Sequence, residues 1–128
     1  MKFMLMMNCP HDGYERYASW PKDVLAANFA FMRSFGKKLS DAGELVATEG
    51  LASPRQARRV RAGKDGKPIT DGIFPESKEF LAGYWIVDVD SAQRAYDIAA
   101  EACAAPGVGA EPLMIEVREV MSGPPQSD

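Results

Sequence analysis

The apolar positions of this chain fall into two repeats, one suited to strands and one to helices. After Lys2, the residues Phe3 to Met7 form an unbroken apolar run of strand length. Such a run, apolar on both faces, predicts a strand in the middle of a covered sheet. Asn8 to Gly13 reads as a loop. Ser19 and Pro21 predict a helix start. Leu25, Phe29, Met32, Phe35 and Leu39 follow at spacings of three and four, one face of an amphipathic helix, and Gly43 is placed to end it after Ala42. Glu44 to Glu49 predicts a short strand closed by Gly50, and Leu51 to Gln56 a loop. Ala57 to Ala62 and Pro68 to Thr70 flank Lys64-Asp65-Gly66-Lys67, whose Asp-Gly pair signals a hairpin with a proline-started edge strand.

Leu81 to Val89 carries the strongest strand signal, centred on Tyr84-Trp85-Ile86-Val87, and it too is apolar on both faces. Asp90 or Ser91 caps a second helix, with Asp90 and Gln93 at capping-box spacing. Ala92, Ala95, Tyr96, Ala99 and Cys103 are expected on its inner stripe. Ala104 to Pro112 reads as loop. Leu113, Ile115 and Val117 alternate with Met114, Glu116 and Arg118 in a last strand, and a tail follows Met121.

The element order predicts an α+β fold, a ferredoxin-like βαββαβ sheet with an inserted β-hairpin, as one domain over 1–121 with a tail at 122–128. That topology puts the first and third main strands at the centre, and these are the two runs apolar on both faces. Two helices cover only one face of such a sheet. The other face therefore needs a cover, and a second copy of the chain is the expected one.

Composition narrows the function classes. The 128 residues carry a formal charge of −3, which gives no electrostatic case for nucleic acid. No apolar run approaches the length that spans a bilayer, so no membrane role is expected and the cytoplasm is the expected compartment. Cys9 and Cys103 are expected as free thiols. One histidine and two distant cysteines do not make a zinc site, and no cofactor motif occurs, so neither metal nor cofactor is expected. His11 beside Asp12 reads either as a base with its orienting carboxylate or as an exposed turn pair. Arg55, Arg58, Arg59, Arg61 and Lys64 read either as an anion site or as charges that guard an edge strand.

The polar segment from Asp71 to Glu79 reads physically as a turn capped by Asp71 and anchored by Phe74. It resembles the DGPFAETKE motif of a branch of the YCII-related family, with Asp71, Gly72, Phe74, Glu76, Lys78 and Glu79 identical. Glu49-Gly50-Leu51, the strand entry at Leu81-Ala82-Gly83-Tyr84, and Glu116-Val117-Arg118 are similar to family segments as well. The resemblance implies a dimeric α+β barrel. It also implies proteins that often accompany extracytoplasmic-function sigma factors. Two functions follow as expectations. One is a small-molecule cleft at the interface of a homodimer, lined by Glu49, Asp71, Glu79, Tyr84 and Arg118. The other is a non-catalytic regulatory partner of such a sigma factor.

Overall fold

The computed structural model of the protein describes residues 1–71, 79–108 and 113–125. Its elements in chain order are β1 (Lys2–Pro10), α1 (Gly13–Ala18), α2 (Lys22–Asp41), β2 (Leu45–Gly50), β3 (Arg59–Ala62), β4 (Pro68–Asp71), β5 (Glu79–Asp88), α3 (Ala92–Ala102) and β6 (Ile115–Glu119), with a 3-10 turn at Pro54–Gln56. Four strands form an antiparallel sheet in the order β2-β5-β1-β6, an arrangement compatible with a ferredoxin-like fold. The central pair, β1 and β5, contains the two runs that the sequence shows as apolar on both faces. The hairpin β3-β4 forms its own two-stranded sheet, and every residue in its strands is exposed.

The core lies between one face of the sheet and the two long helices. Phe3 and Leu5 from β1, Trp85 and Val87 from β5, Phe35 and Leu39 from α2, and Ala95, Ile98, Ala99 and Ala102 from α3 are buried together. The Phe35 and Trp85 rings meet edge to face, with centroids 5.7 Å apart. Fully burying each of the large side chains stabilises the fold by about 1.5–3 kcal/mol. At the start of β2, Glu44 is tied to α3 by both carboxylate oxygens, which accept from Arg94 Nε at 2.8 Å and Nη2 at 2.7 Å. This bidentate pair holds the Glu44 carboxyl below the usual glutamate range.

Several local expectations are corrected. The loop after β1 contains a short helix, α1. Ser19 closes α1 by donating to the carbonyl of Arg16 and does not cap α2, which begins behind Pro21. Phe29 is 56% exposed, off the buried α2 stripe of Phe35 and Leu39. On α3 the buried positions are 95, 98, 99 and 102. Tyr96 lies about 100° around the helix from Ala95 and is 51% exposed, and Cys103 is exposed at the helix end. Ser91 supplies the cap by accepting from the Arg94 amide, and Gln93 turns instead to Asp97. No described helix is long and apolar enough to cross a membrane.

Chemical denaturation tests this core. Ile98→Ala is expected to cost about 2–5 kcal/mol, whereas Tyr96→Ala is expected to stay within about 0.5 kcal/mol of wild type. Glu44→Gln tests the ion pair. Its contribution, about 1 kcal/mol, is present above the usual glutamate range and fades as the pH falls through the depressed value of Glu44. The two stability curves are therefore expected to separate near neutrality and to converge in acid.

Candidate functional site

Side chains alternate between the faces of a strand, so each strand that supplies the core also presents a second set to the opposite face. On β1, Phe3, Leu5 and Met7 pack on the core, which leaves Met4, Met6 and Asn8 on the helix-free face. Pairing aligns these with residues of the neighbouring strands in two rows. One row runs Ala47, Ile86, Met4, Arg118; the next runs Glu49, Tyr84, Met6, Glu116. The five residues Met4, Met6, Tyr84, Ile86 and Ala47 are all part-buried, while Glu49, Glu116 and Arg118 are exposed at the flanks. The result is an apolar band with a carboxylate at one border and a carboxylate and a guanidinium at the other.

The backbone fixes this arrangement closely. A Cβ on Gly83 would lie 2.9 Å from the carbonyl oxygen of Glu49, so the absence of a side chain there lets β2 approach β5. Thr48 Oγ1 donates to the carbonyl of Tyr84 at 2.9 Å. Glu49 and Tyr84 are thereby held as direct cross-strand partners.

Of the five residues expected at the site, Glu49 and Tyr84 are cross-strand neighbours, and Arg118 lies on the same helix-free face but on the opposite edge strand, roughly 14 Å from Glu49 across the sheet. Glu79 starts β5 opposite Pro10, roughly 16 Å along the strand from Tyr84. Asp71 is not on this sheet. It ends β4 in the separate hairpin, paired in register with Arg59 and with its Oδ2 4.0 Å from Arg61 Nε. Most of the motif-like segment, residues 72–78, lies outside the described residues. Met4, Met6, Ile86 and Glu116 complete the face and were not expected at the site. Their signal was the even-numbered alternation of β1 and β6, which is hidden in β1 because both of its faces are apolar.

Several of the other chemical candidates are engaged by neighbouring groups. Asp12 accepts from Arg16 Nη2 at 2.7 Å, which lowers its pKa, so its carboxylate is engaged by arginine. Burial pushes the Cys9 thiol up, and the charge of Glu79 adds to that effect against Arg16; a thiol held protonated is a poor nucleophile. In the basic stretch, Arg55 pairs with Glu15 and Arg58 donates to the carbonyls of Arg55 and Ala57. A shallow groove lined by Gly43, Glu44, Asp88, Asp90, Ser91 and Arg94 lies at the end of the sheet and includes none of the five expected residues. Among the described residues, no three His, Cys, Asp or Glu side chains gather as a metal site.

A search among curated proteins found no match to the chain. The family model described as the YCII-related domain matches residues 1–121, so almost the whole chain, including every strand and helix described above, belongs to the YCII-related domain family.

Proposed function

We propose that the protein binds a small molecule on the helix-free face of its sheet, in a cleft completed by a second copy of the chain. The supporting observation is that Glu49, Tyr84 and Arg118 share one face with the apolar band of Met4, Met6 and Ile86. Ligand sites commonly combine an apolar lining with a few placed polar groups, and this face has that composition. Glu49 offers an acceptor and Tyr84 a hydroxyl that donates or accepts. Arg118 offers fixed charge and several donors. A carboxylate directly opposite a phenol is also placed for proton transfer to or from a bound molecule, which leaves room for catalysis as well as binding.

The same reading places the protein in the cytoplasm as a homodimer of the DGPFAETKE branch. A regulatory protein such as an extracytoplasmic-function sigma factor would compete for this face, and no observed geometry selects it.

Methyl-detected NMR of the methionines with a set of aromatic carboxylate and amine fragments tests the site. Binding fragments are expected to shift Met4 and Met6 together, and Glu49→Gln with Tyr84→Phe is expected to weaken binding by roughly tenfold, about 1.4 kcal/mol. Shifts confined to Met1, Met114 or Met121, or no shifts across the set, would remove the proposal.

A further inference from the structure

We infer that β3 is a docking edge for an extended acidic segment of another protein, which adds to the β3-β4 hairpin as a third strand. From Arg55 to Asp71, six Lys or Arg residues stand against two Asp. This stretch therefore carries +4 in a chain of −3, and the rest of the chain carries −7. The strands that bear this charge are also set apart. Among the described residues β3 and β4 pair only with each other, and every residue in them is exposed. A two-stranded hairpin is marginal in water and gains stability from a third strand.

The phase of the hydrogen bonds makes β3, rather than β4, the open edge. The Gly63 amide donates to the Lys67 carbonyl at 2.8 Å, so these two residues form a bonded pair at the turn. Bonded and non-bonded pairs alternate along antiparallel strands. Arg61 and Ile69 therefore turn their backbone groups inward, whereas Val60 with Thr70 and Ala62 with Pro68 turn theirs outward. On β3 the amides and carbonyls of Val60 and Ala62 all face out, two residues apart, as an added strand requires. On β4, Pro68 has no amide to offer. No backbone bond of Val60 or Ala62 to a residue outside the hairpin occurs among the described residues.

Charge and side-chain alternation then select the occupant. Arg59 and Arg61 lie on one face of β3, and Val60 and Ala62 lie on the other beside Thr70 and Pro68. A second β3 laid antiparallel on this edge is opposed. Centred on Val60 it sets Arg59 against Arg61, and centred on Arg61 it sets that residue against itself. A nucleic acid would bring a long run of negative charge past a body of −7, and its phosphates would do nothing for Val60, which is 62% exposed. A short acidic segment that alternates carboxylates with β-branched side chains suits both faces. Main-chain bonds hold such a strand and its alternate side chains give the selectivity. Arg61 can turn to it, because its Nε lies 4.0 Å from Asp71 with both side chains exposed, a pair worth little in water. Arg55, paired with Glu15, and Arg58, donating to the carbonyls of Arg55 and Ala57, fix the base of the hairpin. This edge shares no residue with the face proposed for a small molecule and goes beyond that reading.

Fluorescence anisotropy of the full chain with a short labelled peptide alternating Glu with Val or Thr tests the edge, and amide NMR locates it. The peptide is expected to bind, to shift the Val60 and Ala62 amides, and to bind less well as salt is added. Val60→Pro removes an outward amide that the hairpin does not use. Arg61→Glu reverses a charge and leaves every backbone group in place, so its result does not depend on how the hairpin tolerates the proline. Each is expected to weaken binding by roughly tenfold, and Arg61→Lys to keep most of it. Failure of the peptide to bind, or binding untouched by Arg61→Glu, would overturn the inference. So would equal binding of a peptide with Lys in place of Glu, or of duplex DNA.

Discussion

The structure depends on the burial of one face of a four-stranded sheet by two helices, and on what this leaves uncovered. Leu5, Trp85 and Val87 are sealed under Phe35, Leu39 and Ile98. Nothing in the single chain does the same for Met4, Met6 and Ile86 among the described residues. The two middle strands thus carry two apolar stripes each, and one chain can bury only one of them well. The second stripe is part-covered by its own neighbours in the sheet, which explains why these side chains are half-buried rather than open.

That imbalance gives the family assignment a physical content. The half-buried band of Met4, Met6 and Ile86, bordered by Glu49, Glu116 and Arg118, is the feature on which the proposed ligand site rests. Strand register, not any sequence motif, gathers these residues: they come from four strands spread over much of the chain. Gly83 contributes by what it lacks, since a side chain there would push β2, and Glu49 with it, away from β5.

Much of the fold was legible because its signals are local. Continuous apolar runs marked β1 and β5, an Asp-Gly pair marked the hairpin, and three-to-four spacing marked α2 and α3. The errors came where one neighbouring residue decides the outcome. Tyr96 and Cys103 are apolar enough for an inner stripe, but the buried face of α3 is set by Ala95, Ile98 and Ala102 one step around the helix. Ser19 has a capping side chain, yet it serves the short helix before it. The site was half legible. Glu49 and Tyr84 were found through chain segments similar to those of a known family, whereas their pairing, and the separation of Asp71 from them, are properties of register that no local pattern encodes.

The molar mass of the full chain in solution, followed by sedimentation equilibrium from nanomolar to high micromolar concentration, tests the unfinished sheet most directly. Reversible association to twice the 14.0 kDa of one chain is the result this account requires. A species that stays at the single-chain mass across the whole range, folded and with Met4, Met6 and Ile86 facing only water, would contradict it.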